Sequence, residues 1–179
     1  MMKFNAGITP KAVIERLTKE RDPIVRRNLE CVLRHQEAEL RGDLEGIMAT
    51  LVAEPHYHFY GMMDATGNIH SSEVKGREAV RQMYVGSIAN RAAELQEFDA
   101  YRVVADAFSV AYDGWLRVPM IGKTLIALGY DAEPNAFYLN EGMHWTFWKF
   151  DENGLAVGED IAFDAKTFIG ILDRRIEID

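Results

Sequence analysis

The feature that most constrains the fold is the run from residue 137 to residue 164. It reads as two strands, 137–150 and 155–164, joined at Asp151-Glu152-Asn153-Gly154. Asn and Gly tolerate positive φ, so this tetrapeptide is a hairpin turn. Further strands are predicted at 56–62, 95–105 and 108–118. Long strands crowded with aromatic residues predict a strongly curved sheet. Asp113-Gly114 sits inside one aromatic run, where the residues are compatible with either a bulge or a turn.

Helices come first in the chain. Thr9 as N-cap and Pro10 at the first helical position open a short helix reaching about Glu20. Asp22-Pro23 starts a second helix, in which Val25, Leu29, Val32, Leu33 and Leu40 recur at helical spacing before Gly42 ends it. Asp43 caps a third, with Leu44, Ile47, Met48 and Leu51 as its apolar stripe. A fourth spans about 76–93, with Val80, Met83, Tyr84 and Ile88 facing inward. Residues 119–136 fit no simple element and read as a lid-like insertion, and 165–175 as a closing helix. Helices followed by antiparallel strands is the α+β pattern. No repeat or linker divides the chain, so residues 1–179 are expected to form one domain, with 1–23 as an N-terminal extension.

Composition narrows the function classes. At 179 residues and 48% hydrophobic content the chain can bury a real core. A net charge of −8 without a Lys/Arg run argues against nucleic acid as a partner. No 18-residue apolar stretch and no signal-peptide run occur, so no membrane partner and a cytoplasmic location are expected. The single Cys31 cannot form an internal disulfide and reads as a buried small hydrophobe. Gly-x-Gly-x-x-Gly, phosphate-loop and Gly-x-Ser-x-Gly patterns are absent, so neither a nucleotide cofactor nor serine hydrolysis is expected.

The chemistry rests on five histidines: His35, His56, His58, His70 and His144. His56, His58 and Tyr60 alternate along one strand and share a face, while Tyr57 and Phe59 take the other. Two imidazoles and a phenol are costly to bury against hydrocarbon, so that face is expected to look into a cavity or water. His144, Thr146 and Trp148 share a face of the long strand, and Glu159, Ile161 and Phe163 share one on the last. Imidazoles titrate near neutrality and can move a proton between carbon and oxygen, while aromatic walls hold a planar substrate. His70 and Lys123 read as ordinary structural or solvated residues. His56-Tyr57-His58 also has the spacing for two imidazoles on one ion. A cupin-like site would want a Glu soon after and a preceding Gly. Glu73 lies too far along the chain and residue 50 is Thr, so no metal is expected.

The stretches RGDLEGIMATLVAEPHYHFYG, VKGREAVRQMY and HWTFWKFDENGLAVGEDIAFD resemble the nuclear transport factor 2-like superfamily, over roughly residues 24–175. Its small-molecule members include SnoaL-like polyketide cyclases, ketosteroid isomerase, limonene epoxide hydrolase and scytalone dehydratase. The resemblance implies a cone-shaped α+β barrel, in which a mostly antiparallel sheet wraps the N-terminal helices around a central pocket. A homodimer or homotrimer is implied as well. The ketosteroid isomerase register puts its catalytic Asp on His58, its oxyanion-holding Tyr on His35 and its protonated Asp on Thr146. Its pocket-lining residues fall on Glu159, Ile161 and Phe163. All three catalytic types differ, which points away from steroid isomerisation by that chemistry. The Asp-Arg-Asp set of limonene epoxide hydrolase has no counterpart, while scytalone dehydratase is similar in using histidines and tyrosines.

The expectation is therefore a cofactor-independent lyase or isomerase acting on a small hydroxylated aromatic or polyketide-like molecule. Dehydration, double-bond shift and retro-aldol cleavage with loss of formaldehyde all need the same equipment. His58 is the expected acid or base, with His35 or Tyr60 holding the oxyanion, His144 relaying or returning the proton and Glu159 orienting a histidine or binding a substrate hydroxyl. His56, Tyr57, Thr146, Trp148, Ile161 and Phe163 are expected around the substrate. The alternative is a non-catalytic small-molecule-binding or protein-interaction module of the same fold.

Overall fold

The computed structural model describes residues 11–92 and 94–178, so the expected cap at Thr9 and Pro10 lies outside the described residues. Helix α1 (Lys11–Lys19) buries Val13. Helix α2 (Pro23–Leu40) starts where Asp22 Oδ1 accepts from the Ile24 and Val25 amides at 2.8 and 3.2 Å, with Pro23 in the first turn. Asp43 likewise caps α3 (Leu44–Ala49) by accepting from the Gly46 amide. Helix α4 (Arg77–Ala89) buries Val80 and Tyr84.

The strands are β1 (His56–Met63), β2 (Ile69–Lys75), β3 (Glu97–Ala105), β4 (Ser109–Ile121), β5 (Phe137–Phe150), β6 (Ala156–Phe163) and the short β7 (Arg175–Ile176). They form one unclosed sheet in the order β2-β1-β6-β5-β4-β3, with β7 on β5. Every pairing is antiparallel except β1 with β6. The sheet wraps the helices as the expected α+β cone, and Leu29, Val32, Ile47, Met48, Val80, Tyr57 and Trp148 fill the space between them. Each such fully buried side chain contributes roughly 1.5–3 kcal/mol of transfer free energy. Among the described residues no helix is long and apolar enough to cross a membrane.

The turn at 151–154 forms as expected. Asp151 Oδ1 accepts from the Asn153 and Leu155 amides, and Gly154 takes φ +77°. Asp113-Gly114 is no turn: β4 runs straight through it, and the irregularity lies across the ladder between Ala100 and Arg102 of β3. Strand β2 is unforeseen because all its residues but Val74 are exposed, so it carries no apolar alternation. Within 119–136, β4 continues to Ile121 and a short α5 (Gly122–Ala127) follows. Leu125 of α5 joins Tyr138, Phe168 and Ile171 in a second small core. The closing segment is two 3-10 turns, Ala165–Phe168 and Ile171–Arg174, rather than one helix.

Candidate active site

Strand β6 organises the site. At Gly158 φ is +142°, and a Cβ there would lie 1.9 Å from the His56 carbonyl oxygen, so glycine lets β6 close on β1. The next two residues then alternate, Glu159 to the concave face and Asp160 to the convex one. On the concave face the register builds three rows. Glu159 pairs with Trp148 and Val110; Ile161 with Thr146, Tyr112 and, on β1, Phe59; Phe163 with His144. Except for Trp148 and Val110, which do not line it, the residues of these rows surround a cavity of about 300 Å³ together with Gln36 and Glu39 of α2 and Phe98 of β3.

One end of the cavity is backed by a buried polar cluster. His35, fully buried, has Nδ1 2.6 Å from Thr50 Oγ1 and Nε2 2.8 Å from Tyr84 Oη. The Thr50 hydroxyl gives its own hydrogen to the Ile47 carbonyl at 2.7 Å. His35 Nδ1 is therefore the donor to Thr50, and Nε2 accepts from Tyr84 in the neutral ring. Tyr84 Oη also lies 3.1 Å from Tyr57 Oη and 3.4 Å from Glu159 Oε1. Burial, reinforced by the nearby charge of Glu39, holds the Glu159 carboxyl well above the usual carboxylate range. Burial raises the Tyr57 phenol too, with Glu159 adding to it.

At the other end, four residues along β5 from the Trp148 row, stands His144. Its Nε2 lies 2.7 Å from Thr146 Oγ1, while its Nδ1 is buried with no hydrogen-bond partner. Burial pushes this imidazole down to about 4, so it is neutral near pH 7. Phe98 and Phe163 flank its ring edge-to-face at 5.6 and 5.3 Å. Gln36 Oε1 is a second unpartnered buried acceptor on the cavity wall, its amide nitrogen donating to Tyr112 Oη at 3.0 Å. The wall thus presents a raised acid, a neutral imidazole and an idle amide oxygen to whatever fills the space.

His35, Glu39 and Glu159 could in principle gather around an ion, since their ligand atoms lie within 4.8 Å of one another. Both nitrogens of His35 are already engaged, however, so an ion would have to displace Tyr84.

The eleven residues named from the sequence fall into three places. His144, Thr146, Glu159, Ile161 and Phe163 line the cavity. His35, Tyr57 and Trp148 lie behind its wall: His35 and Tyr57 bear on Tyr84, and the Trp148 indole N–H donates to Tyr112 Oη at 3.3 Å. His56, His58 and Tyr60 are on the convex face, away from the cavity. There His58 Nδ1 meets Asp160 Oδ1 at 2.5 Å and His56 Nε2 meets Glu73 Oε2 at 2.6 Å. The expected convergence of His58 with His35 and His144 is thereby corrected. Strand side chains alternate with period two, so a register displaced by one residue exchanges the faces, and β1 sends Tyr57 and Phe59 inward. Residues 119–136, expected as a lid, contribute nothing to the cavity lining.

Sequence reasoning missed Gln36, Glu39, Tyr84 and Tyr112. A signal existed for the first two. The apolar stripe of α2 through Val25, Leu29 and Val32 is continued by His35, Gln36 and Glu39, polar side chains where the helix still faces inward.

No protein-family model matches the chain, and no curated protein matches it by sequence. Solved structures do match in fold. A candidate SnoaL-like polyketide cyclase from Jannaschia sp. CCS1 superimposes with a TM-score of 0.61 at 14% identity, over 86% of this chain and 96% of that one. An NTF2-like protein from Burkholderia pseudomallei K96243 gives 0.53 at 20% identity, over 82% and 97%. A Mycobacterium tuberculosis protein in complex with estradiol-17β-hemisuccinate gives 0.55 at 15% identity, over 84% and 98%. The chain has the nuclear transport factor 2-like fold.

Proposed function

We propose that the chain is a cofactor-independent lyase or isomerase whose substrate, a small hydroxylated aromatic or polyketide-like molecule, occupies the concave cavity. The observation that carries this reading is the pairing of a raised carboxyl, Glu159, with a neutral, half-unpartnered imidazole, His144, on the wall of one cavity. Environments that push two titratable groups in opposite directions are how one site supplies both an acid and a base near neutral pH. In this reading His144 Nδ1 takes a proton from substrate carbon or hydroxyl, with Nε2–H held by Thr146. The Glu159 carboxyl delivers its proton to a leaving hydroxyl or to a developing enolate oxygen. Tyr84 and His35 position Glu159 and return its proton, and Phe59, Phe98, Ile161 and Phe163 are walls. Dehydration, double-bond shift and retro-aldol cleavage with loss of formaldehyde are all served by this arrangement. The estradiol derivative on the Mycobacterium protein supports a planar, oxygenated ligand for this fold. It equally serves the second reading, a carrier that binds without turnover.

The test is a thermal-shift screen of hydroxylated aromatic and polyketide-like compounds, followed by product analysis on the hits. Stabilisation that weakens in His144→Ala, with product formed by wild type and not by Glu159→Gln, supports the enzyme. Ligands that bind in the cavity and return unchanged would leave the carrier reading in its place.

A further inference from the structure

The convex face carries a second polar constellation, on the side of the sheet away from the cavity. Strand pairing sets it in one row: Glu73 of β2 lies opposite His58 of β1, and His58 lies opposite Asp160 of β6. His56, two residues along β1, lies beside His58 with ring centroids 4.0 Å apart and the rings tilted by 47°. Glu73, far away in sequence, is returned to the histidines by the β1–β2 hairpin.

We propose that His56 Nε2, His58 Nε2 and Glu73 Oε2 bind a divalent transition ion of the zinc type. The three residues each bring a ligand atom within 4.8 Å of the others, and Glu73 Oε2 lies 2.6 Å from His56 Nε2 and 3.8 Å from His58 Nε2. Tetrahedral zinc with bonds of ~2.0–2.1 Å needs its ligands about 3.3 Å apart, a value between those two separations. The site also has the support that metal-binding imidazoles use. His58 Nδ1–H donates to Asp160 Oδ1 at 2.5 Å, which fixes the tautomer with the Nε2 lone pair free, and Asp160 Oδ2 accepts from Lys149 at 3.1 Å. Two imidazoles and one carboxylate suit zinc or a neighbouring transition ion rather than magnesium or calcium. His56 and His58 are about a quarter exposed and Glu73 is 62% exposed in its side chain, so an ion can enter from solvent and keep a water as its fourth ligand. Bound there, it would clip the exposed edge strand β2 to β1.

The test is equilibrium dialysis of the full chain, free of any purification tag, against zinc, with bound metal measured by elemental analysis. One zinc per chain is expected, lost in the His56→Ala/His58→Ala double variant and in Glu73→Gln. Asp160→Asn should weaken binding about 10–100-fold, because it loosens His58 without removing a ligand. His144→Ala, on the other face, should bind as wild type, so the outcome is independent of the proposed reaction. Zinc should also slow amide exchange in the β1–β2 hairpin, a readout that needs no variant. No bound zinc in wild type, or zinc retained in the double variant, overturns the proposal; the latter would point to His35, Glu39 and Glu159 instead.

Discussion

Tyr84 Oη stands between His35 and Glu159, 2.8 Å from Nε2 of the one and 3.4 Å from Oε1 of the other. Its single hydrogen satisfies His35 Nε2, whose ring is held at Nδ1 by Thr50, so one hydroxyl ties the imidazole of α2 to the carboxyl of β6.

Tyr84→Phe removes that bridge and leaves His35 Nε2 buried without a donor. The expected cost is about 1–3 kcal/mol in unfolding free energy. Replacing His35 by Leu in the same chain removes the stranded acceptor, so the double variant should lose less than the sum of the two single losses. Urea unfolding of the three variants measures this. Strict additivity would mean that the two side chains do not share a network.

Glu159→Gln keeps the shape and removes the titration. Its folded pKa lies above the ordinary value near 4.5, so the stability this group contributes is complete below that pH and is lost as pH rises through the raised folded value. The variant escapes this loss. Its melting temperature should match or fall below that of wild type near pH 4.5 and overtake it as pH rises. Turnover should drop on the order of 10²–10⁴-fold, as for loss of one positioned acid. A difference in melting temperature that stays flat with pH would show that Glu159 does not titrate abnormally.

His144 carries the opposite sign. Its folded value near 4 lies below the ordinary 6.5, so the stability it contributes is complete above 6.5 and is lost as pH falls toward 4. The whole shift corresponds to about 3 kcal/mol. His144→Gln, which cannot take up the proton, should lose less stability than wild type across that interval. Equal acid limbs for the two proteins would indicate that solvent reaches the ring.

The fold was legible because its signals are local: Asp22-Pro23 and Asp43 cap helices by the hydrogen bonds their side chains are built to make, and Asp151 to Gly154 closes the hairpin that holds β5 against β6. The cavity was half legible. Alternation placed Glu159, Ile161 and Phe163 together without knowledge of the neighbouring strands. For β1 alternation gives two faces but no direction, and a slip of one residue in register sent His58 to the wrong one. Two further misses share a cause. The β2 strand lacks an apolar face, so its pairing with β1, and with it the approach of Glu73 to His56 and His58, leaves no periodic trace in the sequence. Tyr84 read as one more apolar position of α4 because a helix stripe records burial, not what a hydroxyl meets at the far end of its ring.

The convex face bears on assembly. Tyr60, Val104, Trp145 and Phe147 lie along one shallow groove there, exposed to 44, 64, 42 and 38%. Clustered large apolar side chains on a sheet face mark interaction surfaces more often than scattered ones do. The dimer or trimer implied by the resemblance is expected to form through this groove, whose lining does not include His56, His58 or Glu73. Light scattering coupled to size exclusion should give a multiple of the 20.3 kDa chain mass for wild type. Trp145→Asp combined with Phe147→Asp should shift that toward the monomer, because two charges in the contact lose hydration without gaining partners. Both positions are solvent-facing in the single chain, so its helix content and core should survive the change. Wild type at the monomer mass, or a double variant still at the multiple, would move the contact to another surface.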